Sequence, residues 1–155
     1  MEAEKIFNKY PKLFAQRHLP ITQSCMGWGL SHGEGWYGII EHLCEQIQTH
    51  LKSLEGQGWE VLDFGEEPKN PENKHIYQVE FSQIKSKFGS LRIYYDGGDE
   101  TVSNLVETAE EKSTETCEQC GETASLERLG FWLETLCTPC KEEFLNRYRN
   151  GSSES

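Results

Sequence analysis

The sequence predicts an α+β fold, an amphipathic helix packed on a small antiparallel sheet, followed by a compact cysteine-rich C-terminal module. Three observations predict it. Apolar residues recur at helical spacing through 35–54, two alternating segments flank a glycine turn within 79–95, and two C-x-x-C pairs lie near the end of the chain. The chain then divides into an α+β core over 1–112, a metal-binding module over 113–150 and a disordered tail over 151–155.

Residues 3–9 read as a short helix, cut by Pro11 ahead of Leu13 and Phe14. A stretch rich in glycine and aromatics, 25–37, leads into the clearest helix. There Trp36, Ile40, Leu43, Ile47, Leu51 and Leu54 form one apolar stripe, and Gly56 and Gly58 act as stop signals. The polar segment 64–74, with Pro68 and Pro71, reads as a mobile loop. Val79 and Phe81 alternate with polar neighbours, and 85–89 turns the chain. Leu91, Ile93 and Tyr95 then face one side of a returning strand, with Arg92 and Tyr94 on the other. A helix starts near Thr101, turning Val102, Leu105, Val106 and Ala109 inward, with Asp99 and Glu100 at the positive end of its dipole. The expected core is Trp36, Ile40, Leu43, Ile47, Leu51, Phe81, Leu91, Ile93 and Val106.

Cys117 and Cys120, then Cys137 and Cys140, have the spacing that brings four thiolates to one tetrahedral Zn²⁺. Gly121 supplies a permissive backbone after the first pair. Leu126, Leu129, Phe131, Leu133 and Leu136 bracket Gly130 as a hairpin, and Pro139 suits the start of a helix reaching Tyr148. Knuckle, hairpin, knuckle and helix predict a treble-clef or zinc-ribbon unit. Four thiolates saturate the metal, so the expected zinc is structural, and whether the chain is an enzyme stays open, with the reading leaning against it. Two disulfides are the alternative. The N-terminus, Met1-Glu-Ala-Glu-Lys5, lacks a signal peptide's apolar stretch, and no apolar run is long enough to span a bilayer. A cytoplasmic location is expected, and it suits unpaired Cys25 and Cys44.

The net charge is −11, unevenly spread. Residues 96–122 carry nine acids against one lysine, whereas 73–95 carry Lys74, Lys85, Lys87 and Arg92 against Glu80 alone. Such a balance opposes nonspecific nucleic-acid binding, whose affinity comes from neutralised phosphates. The acidic block reads as a solvated helix face, or as a surface for a basic protein.

The fragments Tyr10-Pro11-Lys12-Leu13-Phe14, Gly27-Trp28-Gly29, Gly33-Glu34-Gly35-Trp36-Tyr37, Lys87-Phe88-Gly89-Ser90-Leu91-Arg92-Ile93-Tyr94-Tyr95-Asp96-Gly97-Gly98 and Cys117-Glu118-Gln119-Cys120-Gly121 occur in this order. In them the chain resembles a family of small zinc-binding proteins of tailed bacteriophages and prophages. The resemblance implies an accessory role in the infected bacterial cytoplasm, countering host defence or redirecting a host factor. It implies no catalytic or binding residue.

Two further constellations bear on chemistry. His32 and Glu34 form an H-x-E element that zinc deaminases pair with P-C-x-x-C, but no proline precedes Cys117 or Cys137. A glycine-rich turn with a helix-capping Glu34 accounts for it more simply. Lys85, Lys87 and Arg92, interleaved with Phe88, Tyr94 and Tyr95, form the one basic island, suited to a phosphate and a stacked base. Trp28, Trp36 and Tyr37 would complete such a pocket if the glycine-rich loop folds over the hairpin; otherwise these aromatics are core and the lysines a solvated turn. The leading expectation is a zinc-stabilised binding protein that inhibits or sequesters a host component, either a protein or a small nucleotide. A nucleotide sponge or small enzyme using the glycine-rich loop is the second, and a nucleic-acid regulator contacting through Arg128, Lys141, Arg147 and Arg149 the third.

Overall fold

The computed structural model describes residues 2–18, 30–31, 33–129 and 132–153. It mixes helices with small sheets, consistent with the expected α+β class, and carries its cysteine cluster near the C-terminus. α1 (Glu2–Lys9) and the turn after it bring Ile6, Phe7, Tyr10, Leu13 and Phe14 into the core. Phe14 packs edge-on against Phe7 and tilted against Phe81, with ring centroids 4.9 and 5.1 Å away. α2 (Tyr37–Gly56) follows a single 3₁₀ turn at Glu34–Trp36 and buries Ile40, Leu43, Cys44, Ile47, Leu51 and Leu54 along one face. That is the stripe the sequence predicts, with Cys44 added to it; burial pushes the Cys44 thiol pKa far up, leaving it inert.

The main sheet has order β1 (Leu30–Ser31), β4 (Glu80–Lys87), β5 (Ser90–Asp96). β4 and β5 form the expected antiparallel hairpin, with a bulge between Phe81 and Gln83, while β1 adds to β4 in parallel. Phe81, Ile84, Leu91 and Ile93 face the helices, and all nine expected core residues are buried. α3 (Glu100–Ser113) starts where Asp99 accepts the Val102 N–H at 3.0 Å, a regular N-cap. It packs against α2 and β5 and also finishes the sheet edge. The outward N–H groups of Leu91 and Ile93 donate to Ser113 Oγ (2.9 Å) and Glu110 Oε2 (3.0 Å), so β5 presents few unpaired donors.

A second two-stranded sheet, β2 (Glu60–Leu62) with β3 (His75–Tyr77), is parallel and had no sequence signal, because three residues are too few to show alternation. The connection expected as a mobile loop is tied down. Glu60 accepts from the Lys69 and Asn70 N–H groups at 2.9 and 3.3 Å, and the Asp63 N–H donates to Glu66. β6 (Ser125–Leu129) and β7 (Trp132–Leu136) form the C-terminal hairpin, and α4 (Thr138–Ser153) follows. α4 runs five residues past the expected end, through 151–153 of the supposed disordered tail. A helix already started propagates at small cost, one glycine being only about 1 kcal/mol worse than alanine. No described helix is long and apolar enough to cross a membrane.

Leu43 is 1% exposed at the centre of the core. Leu43→Ala should cost about 2–5 kcal/mol, measured as a shift in urea midpoint at unchanged slope; a loss below about 1 kcal/mol would show that the stripe is not enclosed.

Candidate metal centre

The first cysteine pair sits on a turn after α3. The Cys117 N–H donates to Glu122 O (2.7 Å) and the Gly121 N–H to Cys117 O (2.9 Å), closing a loop in which Gly121 takes φ +84°. A left-handed backbone there favours glycine. The second pair belongs to the start of α4: Cys137 precedes it, Cys140 lies in its first turn, and the Lys141 N–H donates to Cys137 O at 2.9 Å. The β6–β7 hairpin joins the two. All four Sγ atoms lie within 4.8 Å of one another, and Cys120 and Cys137 Sγ are 3.5 Å apart. Sulfurs around a tetrahedral ion with bonds of about 2.3 Å stand roughly 3.8 Å apart, so the cluster fits a metal of that size. Cys117, Cys120, Cys137 and Cys140 are positioned to hold a metal ion.

Electrostatics favour the thiolate at one corner. Burial raises the Cys117 pKa, but backbone N–H groups of Cys137, Cys120 and Gln119 donate to its sulfur and bring it down to about 7. Cys140 is pushed the other way, first by its hydrogen bond with Cys137. A cation that displaces the remaining protons relieves both conditions, so loading should release protons.

Two glycine loops clasp this module. On one side the Gly35 N–H donates to Glu118 O (2.7 Å), the Gly33 N–H to Glu118 Oε1 (3.2 Å), and the Trp36 indole N–H to Thr116 O (2.8 Å). A Cβ at Gly35 would collide with Cys117 O and stand 2.6 Å from both Glu118 O and Gly121 N. On the other side Thr135, fully buried, donates its hydroxyl to Gly89 O at 2.7 Å. A Cβ at Gly89 would stand 2.8 Å from Leu133 O. The Gly-Glu-Gly-Trp and Phe-Gly-Ser sequences are therefore seats for the cysteine module.

This corrects the expected aromatic pocket. Trp36 is 0% exposed, its indole N–H satisfied by a main-chain carbonyl, so it offers no stacking face; Tyr37 packs half-buried against the core. Trp28 and His32 lie outside the described residues. Lys85, Arg92 and Tyr94 do come together on the outer face of the hairpin. Lys85 pairs with Arg92 across the strands and its Nζ lies 5.9 Å from the Tyr94 ring centroid, while Lys87 sits over Phe88 at the turn. The clasp also brings the Gly33–Gly35 loop beside the first cysteine pair, 85 residues away in sequence. Among the described residues the ligand atoms that converge are four sulfurs, without Glu34.

Sequence reasoning missed a carboxyl pair behind the first knuckle, Glu118 and Glu134, which no periodicity marks. Burial, then the Glu118 charge and hydrogen bond, raise the Glu134 pKa to about 7. Such a group holds its proton more tightly when folded, so its contribution is complete below about pH 4.5 and is lost as pH rises through about 7. Glu134→Gln should therefore raise Tm more at pH 8 than at pH 5.5, with the metal site saturated; equal gains at both would show that the pair carries no excess charge.

A groove of about 570 Å³ opens between α2 and α3 and ends against the clasp at Gly35 and Gly121. No family model matches this chain, and no curated protein or solved structure matches it either.

Proposed function

We propose that the four cysteines hold one structural Zn²⁺ in a treble-clef-like module, and that the protein acts by binding a partner rather than by catalysis. One observation carries this: among the described residues the converging ligand set is four thiols, and four thiolates leave a tetrahedral ion no open position for water or substrate. The order of turn, β-hairpin and helix, with the second pair entering α4, supports the treble-clef assignment. The soft sulfur set favours zinc among abundant divalent ions.

The partner is a host component, in line with the resemblance to phage proteins, and the favoured one is a protein with a basic surface. Glu100, Glu107 and Glu111 all point to solvent along α3, and Glu115 and Glu122 extend the acidic surface towards the metal module. A second reading, a nucleotide held on the hairpin face, is favoured by the Lys85, Arg92 and Tyr94 cluster. Elemental analysis should find one zinc per chain, falling below about a fifth of that in Cys117→Ser. Capture from bacterial lysate should yield a stoichiometric protein that Glu107→Lys/Glu111→Lys no longer retains. Undiminished zinc in Cys117→Ser would defeat the metal assignment, and a capture indifferent to charge reversal would defeat the acidic-face assignment. A saturable nucleotide titration lost in Arg92→Ala would establish the second reading instead.

A further inference from the structure

We infer that the groove between α2 and α3 is a binding site for a small organic anion with an apolar body, independent of the identity of any protein partner. Its volume, about 570 Å³, lies within the range of small-molecule sites. Ile39 and Ala109 give it apolar walls, and His42 and Gln46 on α2 face Lys112 on α3 across it. The chain has 26 acidic residues, yet none of those among the described residues lines this groove. Among the described residues neither His42 nor Lys112 is engaged in an ion pair. Two basic side chains with no carboxylate between them, over apolar walls, complement a ligand carrying one negative group on a hydrophobic frame.

Gly38 makes the space. It lies in the first turn of α2 with helical backbone, and a Cβ built on it meets nothing within 4 Å. Nothing steric demands glycine here, in contrast to Gly35 on the previous turn, and alanine is the better helix former. The absent side chain leaves the groove open at the point where Ile39 and His42 line it.

The zinc-loaded full chain can be titrated with 8-anilinonaphthalene-1-sulfonate, an aromatic anion whose emission rises in apolar surroundings. A single saturable site is expected, unchanged within twofold in Gly38→Ala and weakened at least tenfold in Gly38→Leu at undiminished Tm. The uncharged analogue N-phenyl-1-naphthylamine should bind at least tenfold more weakly. His42→Glu/Lys112→Glu alters only exposed side chains, and it should abolish anion binding even if Gly38→Leu proves unstable. Absence of saturable binding to the wild type, retention in the charge-reversed variant, retention in a folded Gly38→Leu, or equal affinity for the neutral analogue would each overturn the assignment.

Discussion

Stripping the metal with a strong chelator should unfold the C-terminal module and its clasp while leaving the α2–α3–sheet core largely folded. Zinc-finger peptides gain roughly 10–16 kcal/mol from coordination, and here Cys140 sits on a helix with little burial of its own. α4 buries no residue among those described, and its Lys141–Glu127 ion pair at 3.0 Å is of a type worth about 1 kcal/mol or less. The amides of Cys117, Glu118, Gly121 and Lys141, all hydrogen-bonded within or beside the module, should lose hydrogen-exchange protection by at least a hundredfold. Those of Ile47 and Leu51, deep in α2, should change far less. Trp36 should report the same event by a red shift in emission, because the Thr116 carbonyl that accepts its indole N–H precedes Cys117. Unaltered protection after elemental analysis confirms metal loss would sink the structural-ion reading.

Gly35→Ala should be the most damaging single change outside the cysteines. The new methyl would meet the carbonyls of Cys117 and Glu118 and the Gly121 nitrogen, all main chain, so no rotamer can clear it. The loop must lift away, and the Gly35-to-Glu118 and Trp36-to-Thr116 hydrogen bonds go with it. Overpacking and two stranded polar pairs together amount to roughly 3–6 kcal/mol. Urea unfolding of Gly35→Ala beside Gly38→Ala makes the comparison, since the latter methyl enters open space. Equal midpoints for the two variants would mean that the loop is not seated on the knuckle.

These contrasts show what was legible in the sequence. The stripe of α2, the alternation of β4 and β5 and the cysteine spacing each repeat a local period, so they could be read without knowing where the chain goes. β1, β2 and β3 hold two or three residues each, below the length at which a period exists. The glycines of 33–35 were visible as special, yet a glycine needed for close approach looks the same whether the neighbour is a ligand or the chain's own backbone. In the sequence Trp36 suits both core and pocket for the same reason; only the acceptor on Thr116 decides between them. The groove had no sequence signal at all, because His42 and Lys112 are brought together by helix packing across seventy positions.

The clasp also has a consequence for the order in which the molecule assembles. All four sulfurs come from one short stretch, whereas Gly33 and Trp36 must find Glu118 and Thr116 across intervals of 85 and 80 residues. Closing a short segment is entropically easier and faster than closing a long one. Ion capture within 117–140 is therefore expected to precede docking on the start of α2, and a nascent polypeptide halted before Cys137 emerges should have a finished core with nothing to close on.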